Sequence, residues 1–377
     1  MAGNPPHVPE VADSFRSEAA EWLRVSVPER WRSSRGDLPE EEEIQIRAAW
    51  DRTLYAGGYA GLSLPVAYGG QGLGLREEVA FGELAAQAQA PDGLGRVGKI
   101  LTAPTLILHG TEYQKATYLQ PILAGEHVWC QGFSEPDAGS DLASVACSAR
   151  RVEGGYVVRG RKAWTSFSRH AHRCLLLART DEQAPRYHNL TLLLLDMNEP
   201  GVGISPVRQI SGSQHFSETT FDDVFVADRD RVGEEGEGWR IAMSVLASER
   251  GAVEGITRYV EIRSDMDLLL TCCARPGEAA DRLRALDTRV ELVRWQVSKA
   301  VARQHDPAGF LRASMVLKVM WSELWQELTS VAVPLSCPEH RAHWRHQYLE
   351  SRAATIYSGT SEIQRNIIGE RVLGLPK

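Results

Sequence analysis

The spacing of apolar residues changes twice along this chain of 377 residues, and the order of the changes limits what it can fold into. Up to about Glu126, apolar residues recur every three or four positions, as they do on one face of an α-helix. From Trp129 onward, short β-type runs are bounded by Gly, Pro, Asn and Asp, which is typical of strands joined by turns. After Gly238 the helical spacing returns. The sequence therefore predicts an α+β protein with a helical domain at 1–128, a β domain at 129–236 and a second helical domain at 237–377.

The first two regions yield separate predictions of helices, a turn and strands. Amphipathic helices are predicted at 42–57 and 77–89. The glycine-rich segment 62–74 between them is interpreted as a turn, because it lacks the preceding strand and the lysine of a phosphate-binding loop. Strands that form a compact antiparallel barrel or sandwich are predicted at 156–160, 174–179, 190–196, 203–208 and 219–225.

In the last region, the spacing predicts helices at 238–270, 281–304 and 307–331. Asp306 before Pro307 is a typical N-cap followed by a proline at the first helical position. Pro334 and Pro338 are expected to bracket a loop before the final helices.

The composition excludes several classes of protein. A net charge of −7 without a Lys/Arg cluster is unsuited to nucleic acid. No apolar run reaches the roughly 20 residues that cross a bilayer, and residues 1–10 are polar and proline-rich, without the apolar core expected of a signal peptide. The six cysteines lack zinc spacing, and the adjacent pair Cys272-Cys273 is no redox motif. We therefore expect a cytoplasmic protein without a nucleic-acid partner, a membrane span or a metal site.

Three segments carry chemical information. Residues 129–142 read Trp-Cys-Gln-Gly-Phe-Ser-Glu-Pro-Asp-Ala-Gly-Ser-Asp-Leu, residues 163–166 read Ala-Trp-Thr-Ser, and residues 357–365 read Tyr-Ser-Gly-Thr-Ser-Glu-Ile-Gln-Arg. In this order they resemble the motifs of the acyl-CoA dehydrogenases, flavoenzymes that desaturate acyl thioesters. The resemblance covers nearly the whole chain. It implies the fold of that family: an N-terminal α-helical domain, a middle β-barrel domain and a C-terminal four-helix bundle.

The resemblance also implies FAD as the cofactor. Groups of the first segment then face the flavin ring, the indole of Trp164 packs against it, and Thr165 donates to it. Without the resemblance, the first segment reads as a tight loop and Trp164 as a core residue. The implied cofactor-binding residues are Gln131, Phe133, Ser134, Gly139, Ser140, Trp164, Thr165, Ser166, Thr360 and Glu362. Those implied for the acyl-CoA substrate are Ser140, Arg250, Tyr357 and Gly359.

The identity of residue 358 bears on catalysis. Many family members have the catalytic glutamate there, but this chain has Ser358, which cannot take a proton from a carbon acid unaided. Its backbone N–H still matches the donor to the thioester carbonyl, and in that role Ser358 stays a catalytic residue. Some relatives carry the base on the long helix that opens the C-terminal domain, and Glu249 matches that position.

A single helix through 238–270 places Glu249 on a mostly apolar face with Leu246 and Val253. Burial on such a face raises the pKa of a carboxyl group towards a useful range. The alternative is a structural ion pair with Arg250. Glu254, the nearest other carboxylate, lies about 140° round the helix at 3.6 residues per turn. We therefore expect Glu249 to be the base.

Two segments of the family pattern are missing. The Arg-x-x-Phe-Gly segment, whose arginine reaches the FAD pyrophosphate of a neighbouring subunit, is replaced at 273–277 by Cys-Ala-Arg-Pro-Gly, which includes Arg275. The Gln-x-x-Gly-Gly segment that binds the adenosine of the neighbour's FAD has no match near residues 329–338. The FAD is then held weakly, held differently or shared with a different partner chain.

Three functions are consistent with these residues. Our prediction is an FAD-dependent acyl-CoA dehydrogenase, a homodimer or homotetramer, in which Glu249 takes the α-proton and flavin N5 takes the β-hydride. Its electrons then pass to an electron-transferring flavoprotein or a similar acceptor. The second function, favoured by the missing segments, is a cofactor-supporting subunit of a hetero-oligomeric dehydrogenase. The third is a flavin-dependent monooxygenase on the same fold, which the Gly-Thr-Ser-Glu run argues against.

Overall fold

The computed structural model describes residues 11–34, 38–249, 251–272 and 278–376, and the side chains of residues 245, 247–249, 272, 278 and 279 lie outside that description. The chain divides into two compact units. The first, which we call the helical unit, combines residues 1–27, 73–90 and 250–377. The second, the sheet unit, combines residues 28–72 and 91–249. The domain boundaries predicted at 128 and 236 stay a prediction.

The described helices and strands alternate in the predicted order, helical, then β, then helical. The α-helices, numbered along the chain, are α1 (Asp13–Ser26), α2 (Glu29–Ser34), α3 (Glu40–Ala56), α4 (Leu75–Gln87), α5 (Ala103–His109), α6 (Glu112–Ala124), α7 (Gly238–Glu249), α8 (Ala252–Cys272), α9 (Glu278–Ala302), α10 (Pro307–Met315), α11 (Leu317–Leu335), α12 (Arg341–Ala354) and α13 (Ser361–Arg371). The strands are β1 (Trp129–Gly132), β2 (Ser148–Val152), β3 (Gly155–Ser166), β4 (Arg173–Arg179), β5 (Leu190–Asp196), β6 (Val202–Val207), β7 (Phe216–Ala227) and β8 (Arg231–Val232). Among the described helices, none has the length and apolar character needed to cross a bilayer.

The helical unit is built round one core of aliphatic side chains. Val79 of α4, Ile256 of α8, Val297 of α9 and Leu317 of α11 are all nearly or fully buried in it. Each such side chain contributes about 1.5–3 kcal/mol by leaving water. Helix α4 approaches α8 closely, since a Cβ on Gly82 would lie 3.5 Å from Val253. Distant parts of the sequence thereby share one core.

The sheet unit holds an eight-stranded sheet in the order β6-β7-β3-β2-β4-β5-β8, with β1 beside β4. Strands β4 and β5 are buried on both faces, and alternate residues enter two different cores. Leu175 and Leu177 pack in one core, while Cys174 and Leu176 pack in the other. This explains why β4 reads as an unbroken apolar run. Most pairings are antiparallel as predicted, but β1–β4 and β2–β4 are parallel.

Strands β3 and β7 pair with two irregularities of opposite sense. Between Lys162 and Thr165, β3 has one more residue than the β7 segment opposite it, and between Val158 and Gly160 the extra residue is on β7. The two shifts cancel, so the register at the two ends of the ladder is the same. Such bulges twist a strand and redirect its side chains.

Three predicted helical features differ in the structure. The helix predicted at 238–270 is two helices, α7 and α8, that end and begin on either side of a bend at Gly251. The helix predicted at 307–331 is divided into α10 and α11 at Val316. Helix α11 then continues through Pro334 to Leu335, past the predicted end at 331, and the loop predicted between Pro334 and Pro338 is confirmed at residues 336–337.

Two local predictions are confirmed. Asp306 caps α10, because its Oδ1 accepts the Gly309 N–H at 3.0 Å. The glycine-rich segment is a tight turn, since a Cβ on Gly70 would lie 2.2 Å from the Leu64 carbonyl oxygen. The missing Cβ of Gly70 therefore allows two parts of the backbone to approach each other closely.

Candidate functional site

The loop after β1 is fixed by its backbone carbonyls. Lys162 Nζ donates to the Phe133 carbonyl at 3.0 Å, and the Ala163 N–H donates to the Ser134 carbonyl at 2.9 Å. In a planar trans peptide, the N–H points away from the carbonyl of the preceding residue. The Ser134 N–H is therefore directed away from Lys162. This agrees with the role of flavin donor that the sequence predicts for Ser134.

A buried ion pair anchors the same loop. Lys162 Nζ lies 2.8 Å from Glu135 Oε1, and the two side chains are 0% and 8% exposed. The Glu135 carboxylate also accepts the N–H groups of Ala146 and Cys147 at 2.7 and 2.9 Å. A buried carboxylate is tolerated only with such partners. Glu135 thus joins the loop to β3 and to the segment before β2.

Trp164 points outward because β3 bulges at this position. Its φ of 60° lies in the left-handed region, which few residues other than glycine adopt. The indole is 59% exposed, and the ring of Phe216 lies edge-on to it with 6.1 Å between centroids. An exposed aromatic face of this kind suits a planar ring ligand.

The two hydroxyl residues after Trp164 differ in accessibility. Thr165 is 1% exposed, and its Oγ1 has no hydrogen-bond partner among the described residues. Ser166 is half-buried. Since side chains alternate along a strand, Ser166 shares the face of Trp164 and Thr165 lies on the other face. Donation from Thr165 to the flavin stays a prediction. Ser166, on the same face as Trp164, is a second candidate donor.

The remaining sequence-predicted residues of the sheet unit lie nearby along the chain. Gln131 is half-buried in β1, while Gly139 and Ser140 are exposed in the loop. A Cβ on Gly139 would meet nothing within 4 Å. The protein itself therefore leaves room at Gly139.

In the helical unit, the turn before α13 has a left-handed backbone, with φ of 53° at Ser358 and 88° at Gly359. Side chains hold its two carbonyls. Gln364 Nε2 donates to the Ser358 carbonyl at 2.9 Å, and Lys318 Nζ donates to the Gly359 carbonyl at 2.8 Å. Lys318 also lies 5.9 Å from the ring centroid of Tyr357. The structure thus brings Tyr357, Ser358 and Gly359 together on one braced turn.

A cavity of about 390 Å³ opens at the N-terminus of α13. Thr360 is the N-cap, and its Oγ1 accepts the Ile363 N–H at 3.2 Å. Ser361 Oγ, also at the cavity, is buried without a hydrogen-bond partner among the described residues. The cavity also has opposite charges on its wall, from Glu362 and Arg365. Hydrogen bonds from its own backbone N–H and from the Thr360 hydroxyl lower the pKa of Glu362, so this carboxylate is ionised at neutral pH.

The predicted base lies at the end of α7. That helix ends at Glu249, whose side chain, like all of Arg250, lies outside the described residues. The prediction that Glu249 shares one helical face with Val253 is wrong, because α8 is a separate helix. The competing carboxylate, Glu254, is already paired: its Oε1 accepts from Arg258 Nε at 2.8 Å.

Three sequence models of one family match the chain in order. They describe the N-terminal, middle and C-terminal domains of acyl-CoA dehydrogenase, and they match residues 9–126, 130–224 and 236–373. Acyl-CoA dehydrogenase IpdE1 of Mycolicibacterium smegmatis is 36% identical over 387 residues, which cover 96% of this chain and 97% of that protein. The chain belongs to the acyl-CoA dehydrogenase family.

Other known proteins are similar to the dehydrogenase over nearly their full length. IpdE1 of Mycobacterium tuberculosis is 37% identical over 378 residues, which cover 97% of this chain and 98% of that protein. The solved ChsE4-ChsE5 complex from Mycobacterium tuberculosis superposes with a TM-score of 0.79 at 25% identity, covering 100% of both chains. These similarities confirm the predicted family, fold and enzyme class. The protein is an acyl-CoA dehydrogenase with FAD as its cofactor.

The residues of the dehydrogenase fit FAD in each unit taken separately. The sheet unit offers the exposed side chain of Trp164, the Ser134 N–H that is directed away from Lys162, and the half-buried Ser166 on the face of Trp164. The helical unit offers the N-terminus of α13, which suits a phosphate, and beside it the Ser361 hydroxyl, which has no hydrogen-bond partner among the residues that the structure describes. The Glu362 carboxylate suits ribose hydroxyls, which donate hydrogen bonds.

Sequence reasoning missed three residues that shape these sites, Lys162, Lys318 and Gln364. For Lys318 a signal was present: it stands among apolar neighbours in a helix, where a charge is rarely buried without a partner. Lys162 follows Arg159 and Arg161 in the sequence, so its neighbours do not indicate burial. Gln364 lay within the C-terminal motif, but the side chain's hydrogen bond to the backbone depends on the turn that α13 follows.

The absence of a metal site stays a prediction. Among the described residues, one group of possible metal ligands is close together, Cys337, Glu339 and His340, whose ligand atoms lie within 4.8 Å of one another. Cys337 Sγ and His340 Nδ1 are 3.0 Å apart and form a hydrogen bond. Residues three apart on one helical turn are neighbours in any case, so local geometry accounts for the group.

Proposed function

We propose that the dehydrogenase removes the α-proton and the β-hydride of an acyl-CoA thioester, with Glu249 as the base. The observation that carries this proposal is the pairing of the other nearby carboxylate: Glu254 is bonded to Arg258, while residue 358 is a serine. A carbon acid next to a thioester needs a general base at its α-carbon. Glu249 is then the carboxylate left for that task.

The turn before α13 supplies the second requirement, a donor for the substrate carbonyl. Removing the α-proton shifts negative charge to the thioester oxygen, and a fixed N–H stabilises that charge. The Ser358 N–H belongs to a turn whose following carbonyls are bonded to Gln364 and Lys318. A main-chain donor does not depend on the side chain, so it is retained with serine at this position. Tyr357, Gly359, Ser140 and Arg250 remain the proposed substrate contacts.

Bound FAD would supply the acceptor for the β-hydride at flavin N5; the electron pair of the Cα–H bond would then form the C=C bond as the hydride leaves the β-carbon. In the proposal, residues of the sheet unit would hold the flavin ring: Gln131, Phe133, Ser134, Gly139, Ser140, Trp164, Thr165 and Ser166. The helical unit holds the adenosine-diphosphate half through Thr360 and Glu362. The electrons then leave to an electron-transferring flavoprotein or a similar acceptor.

The proposed assembly is a homo-oligomer or a pairing with a second dehydrogenase chain. Helix α11 occupies residues 317–335, and the sequence has no glycine there to allow close approach to a neighbour's adenosine. The similar ChsE4-ChsE5 complex contains two differently named chains. Purification of this chain alone, followed by measurement of FAD per chain, distinguishes the cases: full flavin occupancy contradicts a supporting-subunit role.

The base is tested by anaerobic mixing with acyl-CoAs of varied length and branching, while flavin absorbance is followed. The flavin of the wild-type protein should bleach with at least one of these acyl-CoAs. Glu249→Gln should slow bleaching by several orders of magnitude, because the variant has no base. Ser358→Ala and Glu254→Gln should bleach at nearly the wild-type rate. If the flavin of Glu249→Gln bleached at the wild-type rate, Glu249 would be excluded as the base.

A further inference from the structure

We propose that Lys318 and Gln364 are positioning residues that aim the Ser358 N–H at the substrate carbonyl, with Lys318 adding positive potential there. This inference rests on the proposed function of the turn. The two side chains bond consecutive carbonyls, Gln364 that of Ser358 and Lys318 that of Gly359, at 2.9 and 2.8 Å.

The backbone of this turn needs to be held. Ser358 has a φ of 53°, which is unfavourable for a residue with a Cβ. On its N-terminal side, the Tyr357 N–H bonds the Ala353 carbonyl at 3.1 Å. On its C-terminal side, Gln364 and Lys318 fix the next two peptide planes. Because each peptide is planar, these bonds hold the peptide planes directly before and after the one that carries the Ser358 N–H. The direction of the Ser358 N–H is thus set from both sides.

Burial of the Lys318 ammonium carries a desolvation cost. Lys318 is 2% exposed and lies in the first turn of α11, at the positive end of the helix dipole. Burying an ammonium there opposes both hydration and the dipole. An apolar side chain of similar volume packs in such a place without that penalty. A catalytic gain explains why a lysine stands there instead.

The two residues should differ in what they contribute. Gln364 is 1% exposed and neutral, so it contributes direction only. Lys318 contributes direction and charge. Its ammonium lies against the Gly359 carbonyl and 5.9 Å from the Tyr357 ring centroid, beside the turn that meets the substrate. Positive potential at this place favours the enolate over the neutral thioester.

The test compares Lys318→Met, Lys318→Gln and Gln364→Met with wild type, and Lys299→Met, an exposed lysine of α9, is the matched control. For each variant we would measure the melting temperature, FAD per chain, and the limiting rate and half-saturation of anaerobic bleaching. We would also measure the infrared band of a ¹³C-labelled thioester carbonyl in bound enoyl-CoA, the reaction product. A hydrogen bond and positive potential lower the frequency of that band.

We expect Lys318→Met to bind FAD and to bleach about 10–100-fold more slowly at saturation, with little change in half-saturation. Its carbonyl band should return towards the frequency of free enoyl-CoA. Lys318→Gln, which keeps a donor without charge, and Gln364→Met should lie between Lys318→Met and wild type. Lys299→Met should match wild type.

A lower melting temperature with an unchanged limiting rate per flavin and an unchanged carbonyl band would overturn the proposal. If Lys318→Met does not fold, Lys318→Gln and Gln364→Met decide by the same two readouts. Failure of the proposed function looks different, since the wild-type protein itself would then not bleach with any acyl-CoA. The infrared comparison still decides on Lys318 in that case, because it needs binding but no turnover.

Discussion

Lys162 and Glu135 form an ion pair inside the sheet unit, with 2.8 Å between Nζ and Oε1. The same ammonium donates to the Phe133 carbonyl, so the group that neutralises Glu135 also shapes the loop proposed to meet the flavin. Under the proposed function, stability and cofactor binding are therefore linked through one side chain. Substitutions at this pair should affect both properties.

Lys162→Met should lower the free energy of unfolding of the flavin-free protein by about 3–5 kcal/mol, because it leaves a buried carboxylate without its cation. Denaturant unfolding measures this change. The control is Arg24→Ala, which removes an exposed ion pair with Glu21 and should change the same quantity far less, because solvent screens that pair. If Lys162→Met lost as little free energy of unfolding as Arg24→Ala, the Lys162–Glu135 pair would not be important for stability.

Gly139→Ala should weaken FAD binding and leave the flavin-free protein intact. Since its Cβ would meet nothing within 4 Å of the protein, the free energy of unfolding should change by no more than about 0.5 kcal/mol. FAD titration followed by flavin fluorescence measures the affinity. Gly70→Ala provides the contrast: its Cβ would lie 2.2 Å from a backbone oxygen, so it should lose about 1–3 kcal/mol of stability. Unchanged FAD affinity in Gly139→Ala would place the cofactor elsewhere.

Alkaline pH should destabilise the helical unit through Tyr259. Burial, and then the nearby Glu291 carboxylate, raise the pKa of Tyr259 from its ordinary value of 10.0 to about 12. The folded state therefore favours the neutral phenol. Its contribution to stability is complete below about pH 10 and is lost as the pH rises through about 12.

The measurement for Tyr259 is the free energy of unfolding between about pH 9 and pH 12, in wild type and in Tyr259→Phe. Wild type should lose stability over this range faster than the variant, since phenylalanine has no proton to lose. Parallel curves for the two proteins would show that Tyr259 titrates normally in the folded state.

The order of the elements was predictable because it depends on the period of the apolar residues, which is a local property. Asp306 and the glycine-rich turn were predictable for the same reason, as a cap and a close approach need only a few adjacent residues. The helix predicted at 238–270 failed because apolar spacing continues across Gly251, and spacing alone does not register a bend. The helix end predicted at 331 failed in the opposite direction, since α11 continues through Pro334 and ends one residue later, at Leu335.

The candidate site was predictable where it lies in contiguous motifs and was missed where it depends on contacts between distant residues. Trp164 and Ser358 stand in the motifs themselves. Lys318 is 41 positions before the carbonyl it bonds, and Lys162 is 27 positions after Glu135. No periodicity connects such pairs. Their role follows only from the fold that brings them together.

The two bulges between β3 and β7 tie the length of one strand to the length of the other. The extra residue near Trp164 is offset by one near Asp223, so the ladder regains its register beyond both. Deleting a residue at one bulge alone would shift every pair beyond it and turn buried side chains to the opposite face. Length changes in these strands are therefore viable only as matched pairs, one in each strand. Among related chains, insertions and deletions at these two places should occur together. The bulge near Asp223 therefore helps to determine the position of Trp164 from a distance.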